Sequence, residues 1–112
     1  MLDDGMSEFA IVYITAANAA EAERIGAALL TERLAACVNI IPVKSIYWWE
    51  GAVTRGDEAV IIAKTLAAKI PLLNDRVRSL HSYTTPAIVA VPLLHVDRDF
   101  AKWLEENLEE PE

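Results

Sequence analysis

The hydrophobic positions of this chain fall into strand-like runs and helix-like stripes. Residues 9–15 form an apolar run rich in β-branched and aromatic side chains, which is typical of a strand that is central or covered on both faces. Residues 87–93 form a second short run of the same kind near the other end. These two runs are predicted as the first and last strands.

Three further segments carry helix signals. Asn18 is predicted to cap the first helix, and Glu21 three residues later offers the reciprocal half of a capping box. Pro71 is tolerated only in a first turn, which places it at the start of the second helix, and Asp97 is predicted to cap the third. The predicted buried stripes of the three helices are, in order, Ile25, Leu29 and Leu34; Ile70, Leu73, Val77 and Leu80; and Phe100, Trp103 and Leu104.

A long hairpin is predicted between the first two helices. Its strands cover residues 35–49 and 53–65, and Glu50-Gly51 supplies the tight turn. Pro42 cannot donate to a sheet ladder, so the first strand is expected to bend, bulge or lie at a sheet edge there.

The register of this hairpin depends on whether a bulge interrupts it. With a two-residue turn and no bulge, Lys64 lies opposite Cys37. A bulge at Pro42 or Gly56 would shift the register by one residue and turn the two side chains to opposite faces.

The predicted order of elements is strand, helix, strand, strand, helix, strand, with an added C-terminal helix. This order matches the split βαβ arrangement of ferredoxin-like α+β domains. Residues 8–110 are predicted to form that single domain after a flexible segment at 1–7. The hairpin is longer than so small a sheet needs, so residues 45–55 are expected to project and pair with a neighbouring subunit.

Composition narrows the range of functions. A chain of 112 residues, 54% of them hydrophobic, has one core and buries only about 60 to 70% of its unfolded surface, so self-association is expected. Five glutamates among the last eight residues supply most of the formal charge of −7. The ten Lys and Arg residues are scattered, which argues against nucleic-acid binding, and no apolar run approaches the length of a membrane span.

The cysteine content bears on the cellular compartment. Cys37 is the only cysteine in the sequence, which excludes an internal disulfide and a Cys-rich zinc motif. The N-terminal residues are acidic and do not have the pattern of a signal peptide. A cytoplasmic location is predicted.

Three ordered blocks of this sequence resemble the CutA family of divalent-cation tolerance proteins. They are AACVNIIP at 35–42 with SIYWWEG at 45–51, IAKT at 62–65, and HSY at 81–83. The resemblance covers residues 9–108. It implies a homotrimer in which strands of different subunits join edge to edge, and a role in the response to divalent metal ions such as copper.

His81 and Cys37 are the candidate metal ligands. His81 offers an imidazole at a helix end, although the helix dipole there favours the protonated form, which cannot coordinate. An ammonium group at Lys64 would favour the thiolate of Cys37, whose alternative role is that of a small buried hydrophobe. In some relatives a copper site is proposed at the positions that match Ile14, Leu80 and His81, of which this chain keeps only His81. Copper or another divalent cation is therefore the candidate ligand, and no cofactor is certain.

The resemblance also implies a ligand cleft. Four residues that match the family pattern are mapped onto it: Lys64, Glu58, Tyr83 and Trp49. The neighbouring aromatic side chains Tyr47, Trp48 and Trp49 are interpreted as a subunit interface, with walls of the cleft as the alternative.

Three functions remain open from the sequence, and none is enzymatic, because no catalytic motif is present. The first is a trimeric divalent-cation (copper) tolerance protein, in which the metal either binds directly or acts indirectly; direct binding requires accessible His81 and Cys37. The second, by analogy of fold with the trimeric PII regulators, is a sensor of a small anionic ligand in clefts between subunits, which requires Lys64 to face a cleft. The third is a stable structural assembly, which requires neither.

Overall fold

An antiparallel four-stranded sheet and three α-helices make up residues 8–109, the part of the chain that the computed structural model describes. The elements are β1 (Phe9–Ala16), α1 (Ala19–Thr31), β2 (Cys37–Trp49), β3 (Ala52–Leu66), α2 (Ile70–Leu80), β4 (Ile88–Pro92) and α3 (Arg98–Leu108), with a 3-10 turn (Ala67–Lys69) before α2. The predicted order is confirmed. The flexible segment predicted at 1–7 and the predicted domain end at residue 110 lie outside the described residues.

The strand order of the sheet is β2-β3-β1-β4. β1 pairs with β3 on one side and with β4 on the other, both antiparallel, which confirms its predicted central position. This topology is that of a ferredoxin-like α+β fold, as predicted.

The hairpin of β2 and β3 runs without a bulge. Its register extends from the pair Cys37–Lys64 to the pair Trp49–Ala52, which confirms the uninterrupted alternative. Glu50 and Gly51 have φ values of +48° and +80°, both positive, as a type I′ turn requires. β2 lies at the edge of the sheet, where a proline such as Pro42 is tolerated.

The core lies between one face of the sheet and helices α1 and α2. Alternate residues of β1 and β3 point towards these helices and are buried. Gly26 allows α1 to approach β2 closely, because a Cβ atom there would lie 3.0 Å from Val38 Cγ2. The buried residues of this core include Val12, Ile14, Ala16, Ile25, Leu29, Ile61, Ala63, Leu73 and Val77.

Helix α3 packs elsewhere, at one end of the opposite sheet face. Leu104 and Leu108 are buried there in a small cluster to which Phe9 and Leu66 contribute. The prediction that Phe100 and Trp103 pack inwards is corrected: both are exposed, and their rings stack on each other with centroids 5.6 Å apart. Only the C-terminal half of the helix stripe reaches the sheet.

A lysine joins the ends of two helices. Lys69 Nζ donates to the carbonyl oxygen of Arg33 at 2.8 Å and to that of Leu108 at 2.7 Å. Arg33 follows α1 with a φ of +60°, and its side chain donates to the carbonyl of Asn107 at 2.9 Å. Because carbonyl groups at helix C-termini favour a cation, Lys69 stabilises the ends of both α1 and α3.

We expect Lys69→Met to lower the free energy of unfolding by about 1–3 kcal/mol, because two partly buried carbonyls lose a charged donor. Urea denaturation followed by circular dichroism measures this loss. Lys44→Met is the matched control, since its ion pair with Asp57 is exposed to water, and no measurable change is expected there. Equal effects of the two substitutions would contradict the assignment.

Candidate functional site

A cleft opens where β1 ends and the β2–β3 hairpin continues past it. The last pair between β1 and β3 is Ala16–Ala59, so residues 52–58 of β3 pair only with β2. The cleft has a volume of about 590 Å³, within the size range of small-molecule sites. Nine residues line it: Thr15, Tyr47, Trp49, Glu58, Ser82, Tyr83, Thr84, Thr85 and Ala87.

Strand alternation decides which hairpin side chains reach the cleft. Tyr47 and Trp49 of β2 lie on the same sheet face as Glu58 of β3. Trp48 lies on the opposite face and is 74% exposed. The three aromatic residues predicted as an interface are therefore divided between the two faces of the hairpin.

A tyrosine and a glutamate form the polar centre of the cleft. Tyr83 donates from its hydroxyl group to Glu58 Oε2 at 2.7 Å. Burial and then the neighbouring Glu58 carboxylate raise the pKa of Tyr83 well above its ordinary value. The phenol therefore keeps its proton and remains a donor, so Glu58 is held in one orientation.

His81, which is buried beneath the cleft lining, positions Tyr83. The backbone N–H of Tyr83 donates to His81 Nδ1 at 3.0 Å, and His81 Nε2 lies 2.7 Å from the carbonyl oxygen of Thr15. A backbone N–H can only donate and a carbonyl oxygen can only accept, so Nδ1 accepts here and Nε2 donates. The His81 side chain is fully buried, and its ring lies 4.8 Å from that of Tyr83. Both ring nitrogens are thus occupied by structural contacts.

Glu21 holds the loop that carries these residues. Its carboxylate accepts from the backbone N–H groups of Ala17 and Ser82, both at 2.9 Å. Burial alone raises the pKa of Glu21, but these hydrogen bonds outweigh it and hold the pKa below its ordinary value. Asn18 accepts from the Glu21 N–H as predicted, whereas the Glu21 side chain bonds to Ala17 and not to the capping residue.

The structure places Lys64 outside the cleft. Lys64 lies opposite Cys37 in the register, and its Nζ donates to Asn39 Oδ1. Glu58 is six residues away on the same strand, roughly 20 Å along an extended chain. Of the four predicted cleft residues, Glu58, Tyr83 and Trp49 come together and Lys64 does not.

The two candidate metal ligands also remain apart from any cluster. Within residues 8–109, no three His, Cys, Asp or Glu side chains group in a way that could hold a metal ion. Cys37 is half-buried on β2, and His81 is enclosed behind the cleft. The position that matches a proposed copper ligand in relatives, Ile14, lies in the core.

Comparison with known proteins assigns the family. The model of the CutA1 divalent ion tolerance protein family matches residues 10–107. The chain belongs to the CutA1 family. Divalent-cation tolerance protein CutA of Archaeoglobus fulgidus is 46% identical over 98 residues, which is 88% of this chain and 96% of the relative. The CutA protein of Thermus thermophilus is 45% identical over 98 residues, 87% of this chain and 95% of the relative.

Solved structures of CutA1 proteins share the fold. The structure from Archaeoglobus fulgidus aligns with a TM-score of 0.89 at 44% identity and covers 90% of this chain and 99% of its own. The rice protein, from Oryza sativa, aligns with a TM-score of 0.89 at 33% identity and covers 95% of this chain and 98% of its own. Among the helices described, none is long and apolar enough to cross a membrane.

The side chains that position the cleft were missed by the sequence analysis. The capping-box position already accounts for Glu21 in the sequence. No local pattern indicates its contact with Ser82, which lies 61 residues away. Thr15 was assigned to a strand, but it also lines the cleft and its carbonyl holds His81. Both roles depend on contacts between distant segments.

We expect Glu21→Gln to lower the free energy of unfolding at neutral pH by about 1–3 kcal/mol, because a buried charged acceptor of two backbone N–H groups is lost. Since the pKa of Glu21 is lowered by folding, its stabilising contribution is complete above the ordinary value of 4.5 and is lost as pH falls through the folded value. The difference between wild type and variant should therefore shrink in acid.

Chemical denaturation at a series of pH values from 7 to below 4.5 tests this dependence. Glu23→Gln, at an exposed position of the same helix, is the matched control and should show no such trend. A gap between wild type and Glu21→Gln that stays constant with pH would contradict the role of the charge.

Proposed function

We propose that this protein serves divalent-cation tolerance as a non-enzymatic, self-associating binding protein. Its relatives in Archaeoglobus and Thermus are both named divalent-cation tolerance proteins. The observation that carries the proposal is the sheet face opposite α1 and α2, which α3 covers only at one end. The remainder of that face is open and carries several exposed apolar side chains.

The open sheet face is the surface proposed for self-association. It includes four large apolar side chains that are each about half exposed: Tyr13 at 43%, Ile41 at 43%, Val89 at 55% and Val91 at 50%. A solvated face of an antiparallel sheet normally carries polar residues, so an apolar face indicates a partner surface. The projecting hairpin adds an edge strand, β2, whose outer backbone groups are available for pairing. A homotrimer, as the family resemblance implies, would cover both.

The cleft supports a binding role more than a catalytic one. Its ionisable side chains, within the described residues, are Glu58 and two tyrosines, and no cysteine, histidine or lysine lines it. Tyr83, with its raised pKa, is a weak nucleophile and serves to hold Glu58.

Direct copper binding and anion sensing receive less support from the geometry. Copper ligation by His81 would require the imidazole to leave its contacts with Thr15 and Tyr83. An anion sensor would require Lys64 in the cleft, whereas its ammonium group pairs with Asn39. The third function, a structural assembly that binds no ligand, requires only the open sheet face.

The cytoplasmic location stays a prediction. It rests on the single cysteine in the sequence. The solved relative from Archaeoglobus fulgidus is described as periplasmic.

We expect Val89→Lys to dissociate the assembly, because a charge on this face would be desolvated without a partner. Sedimentation velocity measures the change in mass, and circular dichroism reports whether the subunit stays folded. Leu72→Lys is the matched control, since Leu72 is exposed on α2, away from the sheet face, and its mass should equal that of wild type. A folded Val89→Lys protein with the wild-type mass would refute the proposed interface.

Calorimetric titration with copper(II) tests direct metal binding. We expect only weak, non-saturating heats in wild type, unchanged in His81→Ala, because both His81 ring nitrogens are occupied. His95→Ala is the control for adventitious binding to an exposed imidazole. Saturable binding near one ion per chain, or one per trimer, that disappears only in His81→Ala would overturn this expectation and support direct copper handling.

A further inference from the structure

The charge of the cleft indicates the class of ligand it can hold. Among the nine described residues that line it, Glu58 is the only one with a formal charge at neutral pH. The nearby lysines are engaged elsewhere: Lys44 Nζ contacts Asp57 at 3.2 Å, and Lys64 Nζ donates to Asn39. The nearest cation in the described contacts, Arg78, donates to the carbonyl oxygen of Thr84 at 3.3 Å but does not line the cleft, so the lining of the cleft carries a net negative charge.

The carboxylate of Glu58 is only partly satisfied. Tyr83 donates to Oε2, and no donor from the described residues reaches Oε1. Glu58 is a half-buried residue, and its carboxylate gains from a second, preferably charged, donor. The cleft thus holds a fixed hydrogen-bond acceptor, Glu58 Oε1, to which a ligand can donate.

Three aromatic residues line the same cleft as this acceptor. Tyr47 and Trp49 line the cleft on the hairpin side, and Tyr83 lines it on the loop side. The faces of such rings attract cations, most strongly when the cation is weakly hydrated. Hydroxyl groups complete the lining, from Thr15, Ser82, Thr84 and Thr85.

We propose that the cleft binds a small organic ammonium ion, with the cationic nitrogen between Glu58 and the rings of Tyr47, Trp49 and Tyr83. The volume of about 590 Å³ accommodates such a molecule. A bare divalent cation is disfavoured, because it requires several oxygen or nitrogen ligands and the cleft offers one carboxylate. An anionic metabolite is disfavoured by the charge of Glu58. This inference rests on the proposed role as a binding protein, but not on metal tolerance or on the interface at Val89.

The test compares the binding of a charged and an uncharged ligand of the same shape to the full chain in its native assembly. Choline and n-butylammonium are the ammonium probes, and 3,3-dimethyl-1-butanol is the uncharged isostere of choline. Trp49 lies in the cleft, so tryptophan fluorescence together with calorimetry follows binding. We expect saturable binding of at least one ammonium probe, with the isostere about tenfold weaker or more. Saturation by neither ammonium probe, or equal binding of choline and its isostere, overturns the proposal.

Two variants separate the local carboxylate from the general charge of the protein. Glu58→Gln keeps the shape and an acceptor for Tyr83, and should weaken the ammonium probe about tenfold or more. Asp57→Asn makes the same change of charge one residue earlier, on the opposite face of β3, and should leave the affinity unchanged. Equal losses in both variants would show a general electrostatic effect and overturn the site.

A third variant guards against a folding defect in Glu58→Gln. Trp49 is more than half exposed, so Trp49→Leu should fold normally and still weaken the ammonium probe several-fold through loss of an aromatic wall. Unchanged affinity in this variant counts against the site. Sedimentation of the same samples reports the assembly independently, so the absence of ammonium binding by an intact wild-type oligomer refutes this inference and leaves the proposed self-association standing.

Discussion

The uninterrupted register between β2 and β3 is the constraint on which the cleft depends. It brings Tyr47, Trp49 and Glu58 to one face of the hairpin. A slip of one residue would send Glu58 to the other face while leaving the aromatic residues of β2 in place. The positive φ angles at Glu50 and Gly51 fix this register at the turn, and the edge position of β2 accommodates Pro42 without a bulge.

The second half of the cleft is supplied by a loop whose position depends on buried polar contacts. Glu21 binds the backbone of Ser82, and His81 connects the carbonyl of Thr15 to the N–H of Tyr83. Because these hydrogen bonds are partly buried, each is costly to leave unmade, and together they favour one position of the loop. Tyr83 is therefore held where its hydroxyl group meets Glu58, so the polar centre of the cleft is formed before any ligand arrives.

The sheet separates stability from interaction. Its face towards α1 and α2 carries the core, which makes the subunit stable. Beyond the end that α3 covers, the other face is open and carries exposed apolar side chains. The cleft lies at the boundary, where β1 ends and the hairpin continues alone. A small domain with exposed apolar side chains on one sheet face favours association. Its negative, aromatic cleft favours a cationic organic ligand over a metal ion or an anion.

Local patterns in the sequence determined the elements, the caps at Asn18 and Asp97, and the turn that fixes the hairpin register, because each depends on residues close along the chain. Resemblance to the family placed Glu58, Tyr83 and Trp49 in the cleft. Only the tertiary structure separated Lys64 from them, since residues on one face of a strand can lie far apart along it. Likewise, only the tertiary structure gave His81 its partner, a carbonyl 66 residues away, and left Phe100 uncovered. Such contacts are decided by how distant segments pack, which the local pattern of residues does not encode.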